Sequence, residues 1–317
     1  MFHGFNFGMK KRLSALLLLT CIGGFAASIA HAQDATAYAV ADATTSHLLD
    51  ARNANKKLPI ASLAKIATAM VVLDWLDVSK RDQGSLAAIP PGAIALEPSN
   101  PIGFQPGDQV SIRDLLYAML VQNDSIAAYT LADHIGRDLQ RSFQSDARPV
   151  DLFVAQMNAL ARKLGMKQTT FLNPHGLDLG ENPRSSAYDL VLLTSAAMQR
   201  SAFRFYVSQH QRQIVRRTAS GVAVTANLAT TNELLGINAI DGVKAGKSAR
   251  SGECVVLSAA RAPESVQNPD ASFTITPRRL IVVVLGSRDG FGSARQLLNN
   301  GWNLYDEWAA QGRPLQK

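Results

Sequence analysis

The tetrapeptide Ser62-Leu63-Ala64-Lys65 contains the residue types and spacing that best suit catalysis. Residues three positions apart on a helix share a face, so the Lys65 amine can approach the Ser62 hydroxyl. A serine hydroxyl is a weak nucleophile until a base removes its proton, and a lysine becomes such a base when apolar neighbours lower its pKa. Apolar residues surround both positions. We therefore predict Ser62 as a nucleophile and Lys65 as its base, with an ordinary N-cap serine and a solvated lysine as the alternative.

The remaining polar motifs suit structural roles better than catalytic ones. His175, within an Asn-Pro-His-Gly-Leu loop, is expected to be structural, and Asp189 to belong to the capping box of the helix that follows Ser186. The His, Cys, Asp and Glu residues do not have the spacing of metal ligands, and there is no glycine-rich phosphate loop. We predict no cofactor and no metal.

The elements that must position Ser62 and Lys65 follow from the hydrophobic pattern. The helix at 62–76 has almost no polar face over its first three turns, so it should be buried on most sides. Strand-like runs near both ends of the chain, with helices between them, predict a mixed α/β fold. Its antiparallel sheet would be built from both chain ends, flanked by helices and joined by a helical lobe. The other expected helices are 111–121, 126–135, 151–164, 186–198 and 294–308. The expected strands lie within 37–50 and at 214–215, 222–224, 252–259 and 280–285. The segment 77–109, rich in proline and glycine, is expected to be mostly loop and turn.

The N-terminus has the pattern of a secretory signal peptide. Basic residues at 10–12 precede an almost wholly apolar stretch that ends in the small-residue cleavage motif Ala30-His31-Ala32. We predict a signal peptide at 1–32 and one catalytic domain at 33–317. The mature protein is expected in the periplasm, without a stable membrane span. A retained membrane anchor and lipid attachment at Cys21 are the alternatives.

Composition excludes several classes of protein. With 47% hydrophobic and 18% charged residues, the chain is not of the disordered type. The formal net charge is +7 and falls to +4 without the three basic residues of the signal peptide. The basic residues are dispersed, so no nucleic-acid partner is expected. Cys254 would be the one cysteine left after cleavage, in a run typical of a buried strand, which disfavours a disulfide or a catalytic thiol.

The segment 59–70, Pro-Ile-Ala-Ser-Leu-Ala-Lys-Ile-Ala-Thr-Ala-Met, resembles the nucleophile segment of the low-molecular-mass penicillin-binding proteins. These are the D-alanyl-D-alanine carboxypeptidases and related endopeptidases. The resemblance covers nearly all of the mature chain: 37–50 is similar to the first hairpin of the family, 173–177 and 185–189 to its mid-chain signature, and 241–246 to the strand that bears its third motif. It implies a DD-peptidase/β-lactamase-like fold.

The second motif of the family is altered in this chain. An ungapped match of 115–136 places Asn123-Asp124-Ser125 where the family has Ser-x-Asn, so serine and asparagine have exchanged ends. The resemblance implies that the serine relays a proton between two lysines and the leaving amine, while the asparagine holds a substrate carbonyl. Asn123 cannot relay a proton as a hydroxyl can, and Ser125 offers only a shorter hydrogen bond.

The third motif, Lys-Thr-Gly in the family, is Lys244-Ala245-Gly246 here. The resemblance implies that Lys244, Ala245, Gly246 and Lys247 bind substrate, with the backbone N–H of Lys247 as the second oxyanion donor. Ala245 lacks the hydroxyl that contacts the terminal carboxylate of the substrate. Losing one hydrogen bond to a charged group costs about 1.5–3 kcal/mol of binding free energy, or roughly ten- to hundredfold in affinity. Lys247 or Ser248 could compensate.

The resemblance implies a serine-type D-alanyl-D-alanine carboxypeptidase or DD-endopeptidase. Its substrates would be peptidoglycan stem peptides, cleaved through an acyl-enzyme, and β-lactams would be covalent inhibitors. The chain stops soon after Trp308, without the C-terminal β-domain and anchor of many carboxypeptidases, and on this we expect an endopeptidase-like member. Because two motifs are altered, a catalytically weakened peptidoglycan-binding or regulatory homologue is the alternative from another class. A β-lactamase is a third, without a Glu-type deacylation motif in its support.

Overall fold

The computed structural model describes residues 34–97, 99–178, 180 and 182–315. The predicted signal peptide at 1–32 lies outside these residues. Within the described part of the chain, no helix is both long and apolar enough to cross a membrane.

The central sheet joins the two ends of the chain. The strands of the described chain are β1 Ala37–Asp42, β2 Leu48–Arg52, β3 Leu58–Pro59, β4 Leu86–Ala88, β5 Gln109–Ser111, β6 Arg184–Ser185, β7 Gln211–Arg217, β8 Ala223–Ala229, β9 Ile240–Ser248, β10 Gly252–Gln267 and β11 Phe273–Ser287. The central sheet has five antiparallel strands in the order β2-β1-β11-β10-β9, and the register pairs Ala37 with Leu285 and Asp42 with Leu280. The predicted sheet built from both chain ends is therefore confirmed.

Helices cover both faces of this sheet. Successive side chains of a strand point to opposite faces, so Val282 and Val284 pack in one cluster with the last helix while Ile281 and Val283 pack with the helical lobe. A strand covered on both faces is apolar throughout, as β11 is over this stretch. The helices are α1 Ala64–Ser79, α2 Pro91–Ile94, α3 Ile112–Leu120, α4 Ser125–Phe143, α5 Pro149–Lys163, α6 Ala187–Gln199, α7 Ser201–Val207 and α8 Gly290–Ala310.

Helix α1 lies at the centre of the helical lobe. It contacts α3, α4, α5 and α6, and twelve of its residues are buried. The prediction of a helix buried on most sides is confirmed. Its first turn thereby brings Lys65 into the interior.

Two features of the sheets were not predicted. The segment 77–109 is mostly loop and turn, as predicted, but it also contributes β4 and the start of β5, which join β7 and β8 in a second, four-stranded sheet of order β4-β5-β7-β8. Strands of three residues are too short to show the alternating pattern that identifies a strand. The hairpin of β10 and β11 extends well beyond 259 and 280. Among the described residues the two strands of its outer half pair with each other, and their side chains are largely exposed.

Leu257→Ala should lower the free energy of unfolding by about 2–5 kcal/mol, because Leu257 is fully buried between the sheet and α8. Val266, on the same strand, is 61% exposed, so Val266→Ala should change the free energy of unfolding by less than about 0.5 kcal/mol. Urea unfolding followed by circular dichroism compares the two. Equal losses would contradict the assignment of Leu257 to the core.

Candidate active site

Ser62 lies in a tight turn at the entrance to α1. The turn is a 3-10 segment, Ala61–Leu63, rather than the first turn of the predicted α-helix, and the backbone of Ala61 is left-handed with φ 44°. This conformation is strained for a residue with a Cβ. Ser62 is 7% exposed, so its hydroxyl lies just below the surface.

The amine of Lys65 is the centre of the site. Lys65 is fully buried, and its Nζ lies 3.0 Å from Ser62 Oγ, 3.2 Å from Ser125 Oγ and 2.8 Å from the backbone oxygen of His175. Burial lowers the pKa of Lys65 from 10.5 to about 8, although the charges of Glu97 and Asp124 act to raise it. The structure therefore brings a weakly basic amine into contact with the predicted nucleophile.

The second motif lies at the N-terminus of α4. Asn123 has a left-handed backbone with φ 65°, and Asp124 caps the helix by accepting the backbone N–H of Ala127 at 2.6 Å. Ser125, the first residue of the helix, then directs its hydroxyl to Lys65. Asn123 Oδ1 is buried and has no hydrogen-bond partner among the described residues. Of the two side chains predicted to have exchanged places, that of Ser125 contacts the Lys65 amine.

The loop Asn173-Pro174-His175-Gly176-Leu177 lies against the start of α1. Its backbone supplies two acceptors to α1, the oxygen of His175 for Lys65 and the oxygen of Pro174 for Thr68 Oγ1 at 2.6 Å. His175 Nδ1 accepts the N–H of Leu177, and burial lowers the pKa of the imidazole to about 3. His175 is thus a neutral, structural residue that contacts the base through its backbone.

The third motif lies on strand β9. Gly246 packs against Ser62 so closely that a Cβ on it would lie 2.7 Å from the Ser62 backbone nitrogen. A glycine is therefore required where β9 meets the turn that carries Ser62.

Lys244, on the same strand, is 2% exposed, and its amine donates to the backbone oxygen of Ala245 at 3.1 Å. Burial, together with the nearby charge of Lys65, lowers the pKa of Lys244 well below its ordinary value.

A cleft opens between the second and third motifs. Its volume is about 470 Å³, and its walls include Asn123, Ala245, Gly246, Lys247, Arg288 and Phe291. Lys247 is 72% exposed and pairs with Glu253 at 2.9 Å. Three of the four residues predicted to bind substrate, Ala245, Gly246 and Lys247, thus line this cleft, and the fourth, Lys244, is buried.

Glu97 is a site residue that the sequence analysis missed. Its Oε2 accepts the backbone N–H of Ser125 at 2.9 Å, from a loop 28 residues away in sequence. No local pattern marks an isolated acidic residue in a proline-rich loop as part of a site. Among the described residues, no cluster of three or more His, Cys, Asp or Glu side chains is arranged to hold a metal ion.

Known proteins share this arrangement of elements. The family described as D-alanyl-D-alanine carboxypeptidase matches residues 25–268. D-alanyl-D-alanine carboxypeptidase DacC of Escherichia coli is 29% identical over 308 residues, which cover 92% of this chain and 68% of DacC. The D-alanyl-D-alanine endopeptidase of Pseudomonas aeruginosa is 31% identical over 224 residues, covering 69% of this chain and 64% of that protein. The chain thus spans about two thirds of the length of these relatives.

Solved structures agree with the sequence comparisons. The DD-transpeptidase of Streptomyces K15 superposes with a TM-score of 0.71 at 26% identity, covering 85% of this chain and 97% of that one. Penicillin-binding protein D2 of Listeria monocytogenes, in its ampicillin-bound form, gives a TM-score of 0.65 at 29% identity, covering 85% and 98%. The predicted DD-peptidase/β-lactamase-like fold is confirmed.

Gly176→Ala should destabilise the protein more than Gly165→Ala. Both glycines have a left-handed backbone, with φ 84° and 73°, so each substitution adds strain of about 1–2 kcal/mol. A Cβ on Gly176 would also lie 2.0 Å from the backbone oxygen of Ala61, whereas one on Gly165 meets nothing within 4 Å. Thermal unfolding of the two variants isolates this clash. Equal melting temperatures would mean that the loop does not pack on the nucleophile turn.

Proposed function

The chain belongs to the D-alanyl-D-alanine carboxypeptidase family, and from that premise we propose that it is a serine-type D-alanyl-D-alanine carboxypeptidase or DD-endopeptidase. Its substrates are peptidoglycan stem peptides, cleaved through an acyl-enzyme. The observation that carries this proposal is the 3.0 Å contact between Lys65 Nζ and Ser62 Oγ inside the protein. An assembled nucleophile and base favour an active enzyme over a weakened binding homologue.

Acylation begins when Lys65 is uncharged. The amine accepts the Ser62 proton while Ser62 Oγ attacks the carbonyl carbon of the penultimate D-alanine. The carbonyl oxygen becomes an oxyanion, which the backbone N–H groups of Ser62 and Lys247 stabilise. The proximity of Gly246 to the Ser62 nitrogen supports this position for the oxyanion, because β9 and the nucleophile turn meet there.

The tetrahedral intermediate then breaks down. The bond from carbonyl carbon to nitrogen breaks, and the leaving amine takes up the proton that Lys65 acquired. The Ser125 hydroxyl, 3.2 Å from Lys65 Nζ, relays this proton. A water molecule then adds to the acyl carbon, and its proton returns through Lys65 to Ser62 Oγ. Serine is regenerated, and the shortened peptide is released as a carboxylic acid.

The cleft beside β9 would hold the substrate. Asn123 offers its amide to a peptide group, and the exposed amine of Lys247 offers positive charge to the terminal carboxylate of the substrate. Lys244, whose pKa is lowered by burial, offers N–H donors. Ala245 supplies no hydroxyl, so charge takes a larger share of carboxylate recognition.

The remaining assignments come from the sequence. Residues 1–32 form a cleaved signal peptide, and 33–317 form the catalytic domain, which acts in the periplasm. Penicillin-binding protein D2 of Listeria monocytogenes binds ampicillin, which supports acylation of Ser62 by β-lactams in this chain as well.

A fluorescent penicillin should label the wild-type protein covalently, and Ser62→Ala should abolish labelling. Because Lys65→Arg keeps a charged group that cannot act as a base, it should also remain unlabelled, and circular dichroism checks that this variant is folded. Mass spectrometry of purified muropeptides after incubation then reports D-alanine loss and cross-link cleavage separately. A wild-type protein that neither labels nor changes the muropeptides would reject the proposed function.

The rate of penicillin acylation should rise with pH around a midpoint near 8. The uncharged form of Lys65 is the reactive one, and burial lowers the pKa of Lys65 to about 8, so this form accumulates as the pH passes that value. Below the midpoint the rate should fall by about tenfold for each pH unit. Stopped-flow labelling checks this, and a rate that stays constant between about pH 6 and about pH 9 would exclude Lys65 as the base.

A further inference from the structure

Glu97 connects a distant loop to the helix that carries the second motif. Ser125 is the first residue of α4, and the N–H group of such a residue has no partner inside its own helix. Asp124, the cap of the helix, accepts the N–H of Ala127 with Oδ1. The N–H of Ser125 is left to Glu97, whose Oε2 accepts it at 2.9 Å.

The loop that carries Glu97 is held in place by contacts of its own. The Asn100 side chain makes two hydrogen bonds to the backbone of Phe104. Its Nδ2 donates to the Phe104 oxygen at 2.7 Å, and its Oδ1 accepts the Phe104 N–H at 3.0 Å. Phe104 is fully buried, and the N–H of Asn100 donates to the backbone oxygen of Glu97 at 3.1 Å. The carboxylate of Glu97 therefore approaches Ser125 from a fixed backbone.

Ser125 joins Glu97 to the reacting groups. Its backbone nitrogen contacts Glu97, and its hydroxyl contacts Lys65 Nζ, which in turn contacts Ser62 Oγ. We propose that Glu97 is a positioning residue of the acyl-transfer reaction, which holds the start of α4 so that the Ser125 hydroxyl stays against Lys65. This inference rests on the proposed function and adds to it a residue that acts through Ser125.

Glu97 also contributes to the electrostatic surroundings of Lys65. The charged and titratable groups around this amine are Glu97 from its loop, Asp124 from the cap of α4, Lys244 from β9 and the neutral His175. The charge of Glu97 raises the pKa of Lys65. Removing that charge lowers the pKa of Lys65, so more of the uncharged base is present at a given pH. Asp124, with a pKa of about 6, is ionised above neutral pH whether or not Glu97 carries its charge.

Two substitutions separate position from charge. Glu97→Gln keeps an oxygen that can accept the Ser125 N–H but removes the charge, so the pH midpoint of penicillin acylation should fall while the plateau rate stays within about threefold of wild type. Glu97→Ala removes both, and its plateau rate should fall by about tenfold or more. Glu307→Gln, which removes the same charge from the exposed face of α8, is the control and should match the wild type.

A double-mutant cycle tests whether Glu97 acts through Ser125. Once Ser125→Ala has removed the hydroxyl, adding Glu97→Ala should lower the plateau rate by less than about twofold. The same tenfold loss in both backgrounds would overturn the proposal. If Glu97→Ala does not fold, Glu97→Asp, which keeps the charge but withdraws the carboxylate from the Ser125 N–H, replaces it in the same cycle with the same expected outcome. Failure of the proposed function looks different, because the wild type would then not label at any pH.

Discussion

The site depends on one amine that is removed from water. Lys65 is fully buried, and the three oxygens of Ser62, Ser125 and His175 each accept a hydrogen bond from it. A fall in pKa from 10.5 to about 8 corresponds to roughly 3 kcal/mol taken from the charged form by the fold. For a lysine with a lowered pKa this cost is complete below about pH 8 and disappears as the pH rises towards 10.5. At neutral pH the remaining core must offset it.

Three distant segments meet at this amine, and each does so through backbone as much as through side chains. The loop with His175 presents a carbonyl, and α4 presents its first residue at a point where Glu97 fixes the N–H. Strand β9 brings Gly246 within contact of the Ser62 nitrogen, where a larger residue would not fit. Backbone contacts suit a catalytic site because they leave little rotamer freedom in the groups that must stay aligned. The apolar surface of α1 makes this possible by burying the helix on several sides.

The sequence predicts the local part of this arrangement well. The spacing of Ser62 and Lys65 places both on one side of a helical turn, and the capping residue Ser186 marks the start of α6 as predicted. The distant part was not predictable in the same way. The contact of Glu97 with Ser125 links a loop to a helix 28 residues later, and no periodicity in either segment encodes it. The second sheet was missed for a similar reason, because β4 and β5 acquire their strand geometry from their neighbours rather than from their own three residues.

The exchange of serine and asparagine that the sequence predicts for the second motif would have a definite physical consequence. An amide oxygen and a hydroxyl oxygen both accept a hydrogen bond from an ammonium, so Ser125 can serve the resting form of Lys65 as an asparagine would. A hydroxyl can also donate while it accepts, which a carboxamide oxygen cannot do. We infer that the exchange places the hydroxyl of the motif, on Ser125, against Lys65 and leaves Asn123 in the wall of the cleft, with an Oδ1 that has no hydrogen-bond partner in the described part of the chain. Proton transfer would then run through Lys65 and Ser125, while Lys244, a buried amine with a lowered pKa, donates a hydrogen bond to the backbone oxygen of Ala245.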